Sequence, residues 1–257
     1  MSLKALAQNI LHDRGLTAKK DFSQNFLVDK GVYHSIITAA DLQKDDVVLE
    51  VGPGLGFLTT ELLEHAGRVI AVEIDRDMVD GLQGMVEVSD SLEVIEGDVL
   101  SINIPELLQD RSVQNYKVVA NIPYHITAKI IKTFLTTTQK PKKIVLLVQK
   151  EVAERMCEET GKHSLLSVST QLYARPKIVR MVPKSSFYPK PQVDSAVIQL
   201  DVDDRYSSQI ADEKVFWRIV RAGFSGKRKK VLNTLSVGLG LEKSVIEEAL
   251  ISCSTET

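Results

Sequence analysis

The tetrapeptide Asn121-Ile122-Pro123-Tyr124 brings together an amide acceptor, a locked turn and an aromatic face. That combination suits chemistry on a nucleobase amine. The exocyclic amine of adenine is a poor nucleophile because its lone pair is delocalised into the ring. An enzyme that alkylates it must draw the base out of its stack and hold the amine with acceptors. The Asn121 carboxamide oxygen and a neighbouring backbone carbonyl can accept the two N–H hydrogens. Pro123 fixes the turn because its φ is locked, and the Tyr124 ring offers a stacking face. In isolation the same tetrapeptide also reads as an Asx-Pro turn after a strand, and its context decides between the two.

The context begins upstream with Glu50-Val51-Gly52-Pro53-Gly54-Leu55-Gly56. Glycines at 52, 54 and 56 after an apolar strand let the backbone pass close to a ligand, and the helix that follows offers free N–H groups. Dinucleotide-binding folds share this arrangement. Here the third glycine of the dinucleotide fingerprint is missing from its expected position, and Pro53 removes an N–H that a pyrophosphate cradle would use. A nicotinamide-dependent oxidoreductase is disfavoured on that spacing. Glu73, about twenty residues beyond the turn, ends the second strand and suits a ribose diol. Asp98 ends the third strand, where a carboxylate can accept from an adenine amino group. Each alone reads equally well as an exposed strand-end carboxylate. As an ordered set they ask for ribose and adenine without pyrophosphate, which points to S-adenosylmethionine.

These residues need a scaffold that delivers them to one edge. Val47 to Val51 reads as a strand and Phe57 to His65 as a helix with Leu58, Leu62 and Leu63 on one face. Arg68 to Ile74, Leu92 to Glu96, Val118 to Ala120 and Lys143 to Val148 read as further strands, with helices over Asp77 to Met85 and Thr127 to Leu135. Such alternation predicts an α/β fold, a Rossmann-like parallel sheet with ligands at the carboxyl ends of its strands. Glu151 to Glu158 and Leu165 to Tyr173 read as helices. Ile178 to Val182 and Val193 to Leu200 read as a hairpin around Phe187-Tyr188-Pro189-Lys190-Pro191, completing the sheet with antiparallel strands. The acidic stretch Asp201 to Tyr206 reads as a linker. Beyond Asp212 the apolar residues Phe216, Ile219, Val220, Phe224, Val231, Leu232, Leu235, Val245, Ile246 and Leu250 recur at helical spacing. The expected division is a catalytic domain over residues 1–203 and a small C-terminal helical domain over 204–257.

The 257 residues carry a formal net charge of −2, 44% hydrophobic and 26% charged side chains, ordinary values for a soluble globular chain. No apolar run approaches the roughly 20 residues that cross a bilayer, so no membrane association is expected. Met1 to Arg14 lacks the continuous apolar core of a secretory signal. Cys157 and Cys253 lie far apart, and the five histidines are scattered, so neither a disulfide framework nor a metal site is indicated. A cytoplasmic protein is expected. The charge distribution says more than its sum. Arg175, Lys177, Arg180, Lys184 and Lys190 have no acid between them, Lys227-Arg228-Lys229-Lys230 forms a tighter run, and Lys140, Lys142 and Lys143 another. Converging on one surface, such runs make a phosphate-binding patch; otherwise they are solvated faces.

The ordered set Ser23 to Leu27, Glu50 to Gly56, Glu73, Gly97-Asp98, Asn121 to Tyr124 and Phe187 to Ala196 resembles the ribosomal RNA adenine N6,N6-dimethyltransferases over most of the chain. The resemblance implies an S-adenosylmethionine-dependent methyltransferase. It implies donor contacts at Gln24, Asn25, Leu27, Gly52, Gly54, Gly56, Glu73, Asp98 and Asn121. Asn121 would position the amine, and Tyr124 and Phe187 would sandwich the flipped adenine. The segment Phe224 to Leu235 resembles the basic helical motif of that family's C-terminal domain, implying RNA contacts at Arg221, Lys227, Arg228, Lys229 and Lys230. The chain stops at Thr257 soon after Leu250, where further helical residues are expected, so the RNA-binding domain is expected to be a shortened one. The implied partner is small-subunit ribosomal RNA within an assembling subunit, with the enzyme acting as a monomer and without a metal. Two alternatives remain: a large-subunit methylase of the macrolide-resistance type, and a non-catalytic RNA-binding assembly factor that kept the fold. The Phe187 to Ala196 run and the basic helical motif favour the small subunit. The intact donor residues argue against a binding module.

Overall fold

The computed structural model describes residues 1–18, 24–85, 90–159, 163–226 and 228–254. In chain order its elements are α1 (Leu3–Asp13), β1 (Phe26–Leu27), α2 (Lys30–Ala40), β2 (Val47–Val51), α3 (Phe57–His65), β3 (Arg68–Glu73), α4 (Arg76–Met85) and β4 (Leu92–Glu96). Then come α5 (Ile104–Gln109), β5 (Lys117–Asn121), α6 (Thr127–Thr136), β6 (Lys143–Gln149), α7 (Lys150–Met156), α8 (Leu165–Gln171) and β7 (Ala174–Val182). The chain finishes with β8 (Phe187–Tyr188), β9 (Ser195–Val202), α9 (Glu213–Phe224), α10 (Val231–Leu239) and α11 (Lys243–Ser254).

The central strands are short β-branched runs that bury both faces, as a helix-covered parallel sheet requires. They assemble in the order β4-β3-β2-β5-β6-β9-β7. The pairings from β4 through β6 are parallel, and β9 runs antiparallel between β6 and β7. Strand order reverses between β2 and β5, the crevice where ligands of such sheets bind. One apolar cluster, including Leu49, Val118, Leu146 and Ile198, fills one face. A second, including Val48, Val119, Val145 and Val197, fills the other. Alternating residues of one strand thus serve opposite cores.

Strands and helices of the central sheet lie where the apolar pattern predicts, with informative exceptions. β7 begins at Ala174 rather than Ile178 and carries Pro176, which an edge strand tolerates because no outer partner needs its N–H. β9 starts at Ser195 and runs through Val202, so Asp201 belongs to the sheet, paired with Lys143 and Arg175, and not to a linker. The Asp194 carboxylate accepts the Lys184 N–H at 2.9 Å and holds the preceding residues in the turn. Helices α2 and α5 and the two-residue pair β1–β8 lie outside the elements expected from periodicity. Among the described residues no helix is long and apolar enough to cross a membrane.

Beyond the sheet, α9, α10 and α11 share a small apolar cluster of Ala222, Leu235 and Ile246. Phe216 and Trp217 of α9 reach back onto the main core. Trp217 Nε1 donates to the Tyr173 hydroxyl at 3.4 Å, and that hydroxyl donates in turn to the Glu213 carboxylate.

Candidate active site

A cavity of about 310 Å³ opens at the carboxyl ends of β2, β3, β4 and β5. Its lining includes Gln24, Asn25, Leu27, Gly52, Gly54, Glu73, Asp98, Asn121, Tyr124 and Phe187. The structure therefore gathers every residue expected at the donor and base sites except Gly56 into one cavity.

Gly56 acts one step away, as the N-terminal cap residue of α3 at φ 80°. Gly52 and Gly54 also stand in the left-handed region, at φ 68° and 57°, so the turn needs glycine for its backbone path. Gly54 has a second reason: a Cβ there would lie 3.2 Å from the Phe26 ring. The three glycine N–H groups of the turn are already engaged. Gly52 N–H bonds to the Val72 carbonyl at 2.9 Å, Gly54 N–H to the Glu73 carboxylate at 3.1 Å, and Gly56 N–H to the Pro53 carbonyl at 3.0 Å. With Pro53 donating nothing, this loop is a poor pyrophosphate cradle, in line with the glycine spacing.

Glu73 is buried, and its carboxylate also accepts the Asp75 N–H at 3.0 Å. Burial raises its pKa, while the bonds from the Asp75 and Gly54 backbone pull the other way. A carboxylate has about four acceptor sites, so these backbone bonds still leave capacity for a ribose hydroxyl. Asp98 accepts the Leu100 N–H at 2.9 Å, which fixes the carboxylate at the end of β4 and leaves it acceptor capacity. Behind the turn, Glu50 is 1% exposed; one oxygen accepts from Thr59 at 2.7 Å, and among the described residues the other has no partner. Burial lifts this carboxyl to about 8, against the Thr59 bond, with the nearby Glu73 charge adding to the rise.

The roof comes from two distant segments. Phe26 and Leu27 pair antiparallel with Tyr188 and Phe187. The Leu27 carbonyl accepts the buried Tyr33 hydroxyl at 2.7 Å, and Gln24 donates to the Asp75 carboxylate at 2.8 Å. Asn121, the last residue of β5, donates through Nδ2 to the Asn25 carbonyl at 3.4 Å, which turns its Oδ1 away from that contact. Tyr124 opens the short 3-10 turn after Pro123, and its hydroxyl lies 2.6 Å from Ser195 Oγ. Phe187 is only 3% exposed, so one ring serves both the apolar core and the cavity wall.

Periodicity misses Glu50, Tyr33, Asp75 and Ser195 as contributors here. For Glu50 the sign is a carboxylate inside the apolar run Val47–Val51; for Ser195 it is a small hydroxyl residue opening the apolar run of β9. Of the expected RNA contacts, Arg221 on α9 and Arg228, Lys229 and Lys230 before α10 are exposed, and none lines the cavity. Lys227 lies outside the described residues, as does Ser23 of the N-terminal motif.

Fold and site together define a Rossmann-like methyltransferase. The chain belongs to the ribosomal RNA adenine dimethylase family, whose sequence profile matches residues 15–248. It is 42% identical over 245 residues to ribosomal RNA small subunit methyltransferase A of Dehalococcoides mccartyi, covering 95% of this chain and 84% of that protein. Its counterpart of the same name in Moorella thermoacetica is 41% identical over 249 residues, covering 94% and 86%. Among solved structures, a dimethyladenosine transferase from Plasmodium falciparum superposes with a TM-score of 0.71 at 33% identity, over 82% of this chain and 74% of that one. The 23S rRNA methyltransferase ErmE gives 0.69 at 28% identity, over 82% and 83%.

Proposed function

We propose that this chain transfers methyl groups from S-adenosylmethionine to N6 of adenosines in small-subunit ribosomal RNA, two per base, during subunit assembly in the cytoplasm. One observation carries the chemistry: Asn121 and Tyr124 face the same cavity as Glu73 and Asp98, so amine acceptors and donor-binding carboxylates share one space. The choice of small-subunit RNA is supported by the names of the relatives at about 40% identity.

The residues fit the donor. Glu73 is the acceptor for a ribose diol and Asp98 for an adenine amine, while Gln24, Asn25 and Leu27 cover them. When bound, S-adenosylmethionine supplies a methyl group already activated on sulfur, so positioning is the main lever left to the protein. Asn121 Oδ1 and the carbonyl of Ile122 or Pro123 accept the two N6 hydrogens. Those bonds strengthen as the amine turns tetrahedral and its proton becomes acidic, which favours the transition state over the planar ground state. Tyr124 and Phe187 hold the flipped ring and face the growing positive charge. The proton leaves to water.

Residues 204–257 act as the RNA-docking domain, a reading supported by the separate apolar cluster of α9, α10 and α11 and by the exposed cations at the α9–α10 turn. The enzyme works as a monomer. Single-turnover methyl transfer to an assembly-intermediate small subunit, beside large-subunit RNA, tests the whole reading. Dimethyladenosine is expected in the small-subunit RNA, with Asn121→Ala slower by about 10²-fold or more. Product on large-subunit RNA alone would move the assignment to the resistance-type reaction, and binding without transfer to either would leave an assembly factor.

A further inference from the structure

We propose that Ser195 is a positioning residue for base capture, holding the Tyr124 ring in its stacking orientation through the hydroxyl–hydroxyl bond. The inference rests on the methyl-transfer reading and deepens it.

Tyr124 itself has weak local support. It opens a three-residue 3-10 turn without a side-chain cap, outside the hydrogen-bond ladder of β5, so its backbone alone does little to fix the ring. Ser195 is the opposite. It is fully buried, opens β9, and lies in register with Gln149 of β6 on one side and Val182 of β7 on the other. The residue before it is fastened as well: the Asp194 carbonyl accepts the Lys150 N–H at 3.1 Å and its carboxylate accepts the Lys184 N–H at 2.9 Å. The backbone that carries Ser195 is thus held from both sides, yet the residue does not line the cavity. Its Oγ lies 2.6 Å from the Tyr124 hydroxyl, across 71 residues of sequence.

A buried hydroxyl deprived of its partner is costly, so the bond is strongly retained, and it ties the far end of the ring to the start of β9, a strand paired on both sides. Burial raises the Tyr124 pKa, so the phenol stays neutral and keeps the bond under ordinary assay conditions. The consequence for stacking is geometric. A ring fixed at both ends presents its face in one orientation, whereas a ring fixed only at Cα samples others and captures the flipped base less often. The ring touches the base, and the hydroxyl holds the ring.

A double-mutant cycle tests this, with Ser195→Ala, Tyr124→Phe and the pair compared in single-turnover methyl transfer at saturating donor. Each single variant is expected to lose roughly 10-fold to 10²-fold in rate, and the pair no more than the worse single variant, because both changes cut the same bond. Donor affinity by calorimetry should stay at the wild-type value, which separates a loss of ring positioning from general damage to the site. A Ser195→Ala effect as large in the Tyr124→Phe background as in the wild type would overturn the proposal, as would a near-normal rate in Ser195→Ala. Where Ser195→Ala fails to fold, Tyr124→Phe removes the bond from the other end, and a near-normal rate in that variant overturns the proposal equally. A wild-type chain that transfers no methyl to RNA would instead bring down the reading beneath it, and the proposal with that reading.

Discussion

Glu50 holds a carboxyl group with an ordinary value of 4.5 at about 8, chiefly by burial, and that displacement has a thermodynamic consequence with a definite sign. Between those two values the folded chain keeps a proton that the unfolded chain has released. Stability is therefore fully present below about 4.5 and is lost progressively as pH rises towards about 8. The groups that bear on it are Thr59, which donates to it and opposes the rise, and Glu73, whose charge adds to it. Glu50→Gln keeps an acceptor for Thr59 and has no proton to lose. Its stability relative to the wild type should climb across that window and level off above it, measured by urea denaturation at a series of pH values. A difference that does not change with pH would show that the carboxyl is not neutral in the folded chain. Glu73 offers a complementary test. Its carboxylate already orders the Gly54 and Asp75 N–H groups, so Glu73→Ala removes both the acceptor for the ribose and a brace on the glycine turn. Affinity for the donor should weaken by roughly 1–3 kcal/mol. Unchanged calorimetric affinity in a folded variant would remove Glu73 from the site.

At the scale of elements, the packing of α9 on α10 is set by a glycine in an unusual place. Gly238 sits inside α10, where alanine would ordinarily be preferred by up to about 1 kcal/mol. A Cβ there would stand 2.5 Å from Ala222 Cβ and 3.1 Å from its Cα, so the two helix backbones approach at this pair and the clash outweighs the propensity gain. Gly238→Ala should lower the melting temperature and weaken hydrogen-exchange protection of α10 while β2 and β5 keep theirs; a variant as stable as the wild type would contradict the close approach. The sequence announces α10 by its apolar spacing but not this close approach, and the same limit runs through the molecule. Strands β2 to β6 are legible because a β-branched run ended by a polar or glycine residue is a local signal. Helix α5 is too short to establish a period, and β1 and β8 have two residues each, so their pairing follows from tertiary packing alone. Helix α2 lies outside the expected elements although Asp29 caps a run in which Val32, Tyr33, Ile36 and Ile37 are buried. At the site, Glu73, Asp98 and Asn121 are legible as strand-end residues. The Asn121–Asn25 and Tyr124–Ser195 hydrogen bonds join residues 96 and 71 apart and leave no local trace.

For the whole molecule, a formal net charge of −2 gives no general attraction to RNA, so binding must come from where the cations sit. Many basic side chains are already engaged within the protein. Lys117 pairs with Asp46 at 2.7 Å, Lys140 with Asp204 at 2.6 Å, Arg175 with Asp203 at 3.0 Å, and Arg180 donates to the Gly31 carbonyl at 2.7 Å. Arg228, Lys229 and Lys230 are exposed at the turn that leads into α10, with Arg221 exposed on α9. α9 is anchored to the main core through Phe216, Trp217 and the Tyr173–Glu213 bond, so a phosphate gripped at that turn is held by the same body that carries the cavity. Each phosphate neutralised releases condensed counterions, and the logarithm of affinity falls linearly with the logarithm of salt concentration, with a slope set by the number of phosphates engaged. Replacing Lys227, Arg228, Lys229 and Lys230 by glutamine should flatten that slope by roughly one unit for each phosphate no longer neutralised and weaken RNA binding most at low salt. Donor affinity should be untouched, because Arg228, Lys229 and Lys230 stand away from the cavity lining. An unchanged slope would mean that these cations form a solvated face and that the RNA is gripped elsewhere, with the Lys177, Lys184 and Lys190 stretch before and after Phe187 as the next surface to neutralise.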